Sequence, residues 1–425
     1  MSAPAGSTIL SFKEARHAVK SHTAQIPAPE IEVLDLLASA NRVLAEHLLA
    51  DRDIPPFPRA TRDGYALHSA DLAKLPATLE VIGEIKAGEN PEDIPAEVPI
   101  GHAVSIMTGA PVPSGADAVV MVEYSTRHGN QVEITRGATR GENIVPPGAE
   151  ARQGGLLIDR GIRLTAADIA LAASVGKSQL NVYQRPRVAV LTTGDEIVDV
   201  SSIPGPTQIR NSNSYSLAVQ IQSAGGEPVL LSIAPDEPRA LRGLIEKGLQ
   251  SDLLLMTGGV SMGRYDLVEQ VLAEMHAEFF FTGAKIQPGR PVVFGRCGAK
   301  KCGAGTLARE ADSLTYFFGL PGNPVSTMVT FELFVRPMLE ALAGLTTRKL
   351  QFTHARLKTD IRVKTGLKRF LPAILSGEFE NSQAELVAWQ GSGDIAATAR
   401  ANCYIVIPPD RDHIRAGELV AVLMR

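Results

Sequence analysis

Cysteine is scarce in this 425-residue chain: Cys297, Cys302 and Cys403 are the three present. Three thiols cannot build a disulfide framework. The CGAKKC pair has half the ligands of a structural zinc, and nothing nearby completes a set of four, so we read a surface hairpin there. An excess of one charge is also missing. With 42 basic residues against 46 acidic ones the formal net charge is −4, and no Lys/Arg run offsets it, which removes the electrostatic footprint of a nucleic-acid binder. The opening stretch MSAPAGSTILSFKEARHAVK has no basic segment followed by an apolar core, and no apolar run reaches membrane-spanning length. The expectation is a cytoplasmic protein with no membrane partner. Walker-type GxxxxGK[ST], the GxSxG elbow and HExxH are all absent, and the nine histidines are scattered. Phosphate-loop, serine hydrolase and zinc peptidase readings fall away with them. There is no fixed-period repeat and no low-complexity segment.

What is present is a globular composition, 44% hydrophobic and 21% charged, in a chain too long for one ordinary core, so three or four structural units are expected. The most informative stretch is RVAVLTTGDEIV, Arg187 to Val198, echoed by DLLLMTGGVSMG, Asp252 to Gly263. Each is a short apolar run ending in Thr-Gly, the pattern of a buried parallel strand that runs into a ligand-facing turn. Between them lie a helical stripe (Leu217, Ile221, Ala224) stopped by Gly225 and Gly226, the strand EPVLLSIA, and a helix opened by Pro238 that carries Leu241, Leu244, Ile245 and Leu249. Such β-α-β units wind into an open, mostly parallel sheet with helices on both faces. Ligands then sit beyond the carboxyl ends of the strands.

Elsewhere the pattern predicts a short helix over Ser11–His22 and a longer one from Pro29, where Val33, Leu36, Leu37, Ala40, Leu44 and Leu48 recur at helical spacing. Short Val/Ile strands between Gly, Pro and Asn turns suggest a β-rich unit over 53–149. Gly161–Gly176 reads as a helix capped by Thr165, packed beside the Pro29 helix in a discontinuous linking helical domain, 27–52 and 150–182. The α/β domain takes 7–26 and 183–344, ending in a buried strand, the PGNP turn and a long apolar helix. Residues 345–425 form a separate C-terminal β domain.

Three strand ends deliver acids: Asp195 and Glu196, then Asp236, then Asp266. Singly each reads equally well as a turn, cap or first-turn residue. Together they share one crevice, where carboxylate oxygens suit Mg²⁺. Gly258, Gly259 and Ser261 form a glycine-rich turn before a helix, a way to bring N–H groups to an oxyanion. Asn323, Pro324, Ser326 and Thr327 open the late helix, either as a second anion seat or as a plain turn with proline at the first helical position. The DGYA at Asp63–Ala66 looks like an exposed turn.

In this order, DGYA, MTGAPVPSGADAVV, TTGDE, IRNSNSY, TGGVSMG, PGRP and GLPGNPVS closely resemble the molybdopterin molybdenumtransferases, the MoeA family to which the gephyrin E domain belongs. The resemblance spans nearly the whole chain. It implies four domains, one β-rich, one linking and helical, one molybdopterin-binding α/β and one C-terminal and β-barrel-like. It further implies a homodimer in which the DGYA-bearing domain of one subunit closes on the crevice of the other. The implied reaction is insertion of molybdate into adenylylated molybdopterin, with Mg²⁺-dependent pyrophosphate cleavage and release of AMP. The molybdopterin adenylyltransferase is the implied partner that delivers the substrate. A binding module that carries or senses molybdopterin with little turnover is the alternative. A generic nucleotide-dependent phosphoryl transferase is a third, disfavoured by the missing phosphate-loop lysine.

By motif, Asp195, Glu196, Asp236 and Asp266 resemble the acidic catalytic set, with Glu196, Asp236 and Asp266 on the metal. Thr193, Gly194, Asn213, Gly258, Gly259 and Ser261 line the substrate. Pro321, Asn323, Pro324 and Ser326 follow from GLPGNPVS, and Lys285 and Arg290 from the segment around PGRP. Ser392, in QGSG, and Arg369 come from the C-terminal unit, and Asp63 and Thr108 from the partner subunit. Some positions depart from the family pattern. Gly283 and Gln287 flank an out-of-register Lys285, Arg264 stands where many relatives have an acid, and PRATR precedes DGYA. Pro372 occupies the place of an expected anion-binding arginine, and Lys368 or Arg369 is the neighbouring substitute.

Overall fold

The computed structural model describes residues 8–90, 92–259, 267–298, 314–346 and 350–424. Its centre is a six-stranded sheet in the order Glu227–Leu230, Arg187–Thr192, Leu253–Thr257, Leu314–Leu320, Val293–Gly298, Glu278–Phe281. The first four strands run parallel, and the last two add an antiparallel edge. Alternation along the strands serves two cores. Val188, Val190, Leu253, Leu255, Phe318 and Leu320 face one side, while Ala189, Leu191, Leu254, Met256 and Phe317 face the other. Helix α3 (Asn213–Ala224) covers the first side through Leu217, Ile221 and Ala224. Helices α4 (Pro238–Gly248) and α5 (Leu267–Glu274) cover the second through Leu241, Ile245, Val268 and Val271. The chain therefore crosses to opposite faces on leaving Thr192 and on returning to Leu253, which makes the ends of these two strands the topological switch point.

Helix α1 (Phe12–Thr23) belongs to this unit although it lies far away in sequence. Ser11 and Glu14 close a capping box at its start, and Ile9–Leu10 pairs in parallel with Gly283–Ala284. The late helix is α6 (Pro324–Thr330), which continues through a π-helical turn, Phe331–Val335, into α7 (Arg336–Leu342). Pro337 has no N–H to give the carbonyl of Leu333 four residues back. Arg16 of α1 supplies it instead, with Nη1 2.5 Å from that oxygen.

The β-rich unit is a six-stranded sheet, ordered Ala118–Met121, Gly64–Leu67, His102–Ile106, Ala77–Ile85, Gln131–Ile134, Ser125–His128. Gly64 sits where its strand crosses closest to the neighbour, since a Cβ there would lie 1.8 Å from the Val120 carbonyl oxygen. In the C-terminal unit Lys368–Ser376 pairs with both Gln383–Leu386 and Cys403–Ile407, and Phe352–Leu357 and Leu419–Met424 complete a closed five-stranded barrel. Ile286–Gln287 joins the barrel beside Lys368–Arg369, so the segment 283–287 stitches N-terminus, central sheet and barrel together.

The helix expected from Pro29 does not form, and the linking unit is not a helical domain. Ile31–Asp35 is a strand paired with Gln179–Tyr183, followed by turns, and Leu48–Leu49 pairs with Leu156–Ile158. The β-branched alternation Ile-Glu-Val outweighs the weaker helical spacing, leaving Ile31 and Val33 exposed and turning Leu34 inward. Asn41 then takes a left-handed φ of 63°, which ends any helical continuation. Helix α2 (Ala166–Ser174) does form behind a Thr165/Asp168 capping box, and it packs on this strand pair rather than on a second helix. The hairpin expected around CGAKKC lies outside the described residues apart from Cys297, whose side chain is buried and hence not part of a surface turn. Among the described residues no helix is long and apolar enough to cross a membrane.

Candidate functional site

The first two acidic strand ends lie next to each other, beside the switch point. Thr193 and Ala234 form a parallel bridge, so the turns after Thr192 and after Glu227–Leu230 lie side by side. Asp195 Oδ1 accepts the Asp236 N–H at 3.1 Å. Gly194, at φ 133°, leaves room for Glu196 to fold back over it, since a Cβ there would stand 2.6 Å from Glu196 Oε2. Partial desolvation in the crevice, then the charges of Asp195 and Glu196, push the Asp236 carboxyl above its ordinary pKa. Its side chain remains solvent-facing, so we give the crowding of like charge more weight than burial. Asp266 and Ser261, as well as Arg264, lie outside the described residues.

Beneath the acids is a buried polar layer. Thr257 Oγ1 donates to the Pro321 carbonyl at 3.1 Å and accepts Asn213 Nδ2 at 2.9 Å, and the same Nδ2 reaches the Gly322 carbonyl at 2.7 Å. Thr192, Asn211 and Ser214 form a second net, with Thr192 Oγ1 and Ser214 Oγ 2.7 Å apart. Of these residues, Asn213 and Pro321 were expected at the site. Thr192, Asn211, Ser214 and Thr257 were not, although IRNSNSY, with four short polar side chains directly before and at a helix start, carried a signal. Two buried atoms at this level, Thr193 Oγ1 and Asn213 Oδ1, have no hydrogen-bond partner among the described residues. Gly258 and Gly259, both at positive φ, press against Thr193: Cβ atoms there would fall 2.3 Å from its carbonyl oxygen and 2.8 Å from its Oγ1.

The PGNP turn borders the crevice. Asn323 caps α6, its Nδ2 donates to Ser392 Oγ at 2.9 Å, and Val325 N donates to the Ser392 carbonyl at 3.0 Å. The loop from the barrel thus seats on the start of α6. Ser326 is buried, and its carbonyl oxygen would stand 3.5 Å from a Cβ on Gly289 of the PGRP turn. Lys285 and Arg290 are exposed, and Lys285 acts on Glu14 of α1. Arg369 is 6% exposed, and among the described residues its one side-chain hydrogen bond is Nη1 to the Leu367 carbonyl at 3.2 Å. Burial alone lowers its pKa. By strand alternation it shares the face of Leu371 and Ala373 in the barrel core, whereas Phe370 turns to the central unit. Lys368 Nζ lies 4.8 Å from the Phe12 ring centroid. Pro372 is a ladder residue opposite Tyr404.

Asp63 and Thr108 come together in the β-rich unit. Asp63 Oδ1 accepts both Thr108 N (2.6 Å) and Thr108 Oγ1 (2.8 Å), and these bonds hold its carboxyl below the usual range. Among the described residues the Asp63 side chain pairs with Thr108 and not with the acids of the crevice. Among the described residues no three His, Cys, Asp or Glu side chains are placed to hold a metal by themselves. The crowded, solvent-facing carboxylates at 195, 196 and 236 nevertheless fit Mg²⁺, which takes one or two carboxylates and fills its remaining positions with water and phosphate oxygens.

Comparison with known proteins covers almost the full chain. Residues 10–176 match the model of the MoeA N-terminal region (domain I and II), 189–341 that of a probable molybdopterin binding domain, and 354–424 that of the MoeA C-terminal region (domain IV). The chain is 34% identical to a molybdopterin molybdenumtransferase of Nostoc sp., over 93% of its own length and 88% of the relative's. With the protein of the same name from Synechococcus elongatus the identity is 32%, over 97% and 99%. A crystal structure of a molybdopterin biosynthesis moeA protein from Pyrococcus horikoshii OT3 superposes with a TM-score of 0.77 at 28% identity, covering 98% of this chain and 100% of that one. A second crystal structure of the Pyrococcus protein gives 0.70 at 31% identity, covering 98% and 99%.

Proposed function

Since the chain belongs to the molybdopterin molybdenumtransferase (MoeA) family, and is thus a transferase of molybdenum cofactor biosynthesis, we propose that it inserts molybdate into adenylylated molybdopterin, cleaving the pyrophosphate and releasing AMP. The observation that carries this reading is the meeting of Asp195, Glu196 and Asp236 at the ends of two adjacent parallel strands, beside a polar layer in which two atoms have no partner among the described residues. A diphosphate cannot approach three carboxylates unaided. Mg²⁺, when bound, would neutralise that repulsion and draw charge from the breaking P–O bond. Glu196 and Asp236 are its ligands in this proposal, with Asp266 as the third.

The residues of the chain divide the remaining work. Asp195 fixes the Asp236 turn through the backbone N–H, and Gly194 permits the fold-back of Glu196. Gly258 and Gly259 offer backbone close to the substrate because no Cβ intervenes. Asn323, Ser326 and Ser392, with Lys285 and Arg290, form the proposed molybdate side of the crevice, at the seam between α6 and the barrel, and Arg369 joins them only when its side chain turns out of the barrel core. Asp63 and Thr108, paired to each other and apart from the acids within one chain, are proposed to complete the crevice of a second copy in a homodimer. The reading further assigns the four units to domains 27–52 with 150–182, 53–149, 7–26 with 183–344, and 345–425. It places the protein in the cytoplasm beside the adenylyltransferase that makes its substrate.

The second reading, a molybdopterin carrier with little turnover, is favoured by Pro372, which removes a cation from the barrel strand. Single-turnover AMP release from adenylylated molybdopterin with molybdate and Mg²⁺ separates the two. Release in step with molybdenum incorporation supports the insertase, whereas tight binding without AMP supports the carrier.

A further inference from the structure

Arg163 belongs to the linking unit, yet its guanidinium also grips the central one. Nη2 donates to the Ala224 carbonyl at 2.7 Å and Nη1 to the Asn41 carbonyl at 3.2 Å, so one fork ties the two units together. Ala224 is the last residue of α3, where carbonyls lack helical partners and the helix dipole favours a cation. Gly225, the left-handed C-cap, leaves the space: a Cβ there would stand 2.6 Å from Arg163 Nη1. A second seat lies at the end of α7. A Cβ on Gly344 would collide with the Tyr183 ring, Thr346 N donates to the Gly161 carbonyl at 3.1 Å, and Val43 packs with Ala343 and Leu345. Two helix C-termini of the central unit thus receive the linking unit.

The backbone of Arg163 is also the root of a two-stranded ribbon. Val43 bridges Arg163, and antiparallel pairing recurs at Leu48/Ile158, Leu49/Leu156, Ile54/Ala151, Arg59/Val145 and Ala60/Ile144. Asp63 follows just beyond the far end. At about 3.3 Å per residue the path from Val43 to Ala60 is at most about 55 Å, so a tilt of about 5° at the root displaces the tip by up to about 5 Å. Reacting groups lose their effect over about 1 Å. Resting on the shared crevice of the proposed function, we propose that Arg163 is a positioning residue that fixes the root of this ribbon on the central unit and so sets where Asp63 and Thr108 enter the crevice of a second copy. Arg163 holds the end of α3 opposite Asn213, about 18 Å of helix from the polar layer of its own crevice. Its effect therefore falls on the partner's crevice.

The test uses hybrid dimers of full-length chains, isolated through two different affinity tags. Glu196→Gln silences one crevice, and its hybrid with wild type sets the single-crevice rate of AMP release from adenylylated molybdopterin. In the first hybrid one chain carries both Arg163→Met and Glu196→Gln and the other is wild type, so the working crevice is closed by the loosened ribbon. In the second, Arg163→Met and Glu196→Gln sit on different chains, and the working crevice is closed by an intact ribbon. The expected result is release slowed about tenfold in the first hybrid and the reference rate in the second. Both hold the same substitutions, so a folding defect lowers the two alike. Equal rates overturn the proposal, and so does a slower second hybrid, which would place the effect of Arg163 in its own crevice through α3. Small-angle X-ray scattering of Arg163→Met protein without ligand reads the ribbon independently of the chemistry. A wider pair-distance distribution than wild type is expected, and an unchanged one overturns the proposal. Where wild type releases no AMP, Glu196→Gln stays active or the chain runs as a monomer, the insertase or shared-crevice reading has failed, and the scattering decides the role of Arg163 alone.

Discussion

Replacing Arg16 with methionine tests how the N-terminal helix is tied to the central unit. Methionine keeps an unbranched apolar stem and deletes the guanidinium. In the native chain Arg16 Nη1 reaches the Leu333 carbonyl, which Pro337 leaves without its i+4 donor, and Arg16 also faces the charge of Glu340. Loss of the donor strands a part-buried carbonyl, at a cost of about 1–3 kcal/mol. For a cooperative unit of the size of the central domain this lowers the thermal midpoint by about 2–4 °C for each kcal/mol. Calorimetry on the full-length protein reads it directly. The decisive arm is the double variant with Pro337→Ala, which gives position 337 an N–H that can serve Leu333. In that background Arg16→Met should cost less, a coupling of about 0.5–3 kcal/mol between two residues remote in sequence. An equal cost in both backgrounds would show that Arg16 acts through packing or through Glu340, and its role as the substitute donor for Leu333 would be refuted.

Further outcomes are expected at the crevice and around it. Glu196→Gln should leave the thermal midpoint unchanged and lower single-turnover AMP release by at least tenfold, and wild-type release would remove Glu196 from the mechanism. Asp236 has a folded pKa above its value in the unfolded chain, so the unfolded state holds fewer protons and stability should fall as pH rises from about 3.8 through the shifted value. Asp195→Asn should flatten that slope, and an identical pH profile would show the two carboxylates to be uncoupled. Mg²⁺ must displace the same proton, so its half-saturating concentration should rise as pH falls through this window. Arg369→Ala should raise the half-saturating molybdate concentration while leaving pterin affinity in place; an unchanged molybdate dependence would confine Arg369 to the barrel core. Gly64→Ala should destabilise the β-rich unit by about 1–3 kcal/mol because the Val120 carbonyl cannot yield to a Cβ, and urea titration would detect it.

The legible parts of the chain were those whose partners are near in sequence. Arg187–Thr192 and Leu253–Thr257 are uninterrupted apolar runs, and both became central parallel strands. Ser11/Glu14 and Thr165/Asp168 carry their own helix starts. Pro29 to Leu48 misled because the residues that decide its fate, Gln179–Tyr183, lie well over a hundred positions away, and a local window registers the spacing of Leu36, Ala40 and Leu44 without that edge. In the crevice, the acids at 195, 196 and 236 could be placed at strand ends, but their electrostatic coupling depends on the Thr193–Ala234 bridge, which no spacing reveals. Arg369 shows the complementary limit. Its charge suggested an anion ligand, yet the barrel register decides which face it occupies, and that register depends on Cys403–Ile407 and on Ile286–Gln287.

In the proposed mechanism, carboxylates from separate strand ends hold one divalent cation against a diphosphate. Diffraction from crystals of the full-length protein grown with Mg²⁺ and pyrophosphate tests it most directly. The expected result is Mg²⁺ at about 2.0–2.1 Å from a carboxylate oxygen of Glu196 or Asp236, with its other positions filled by pyrophosphate and water. Pyrophosphate bound in the crevice with the cation elsewhere, or with both carboxylates turned away from it, would contradict that claim.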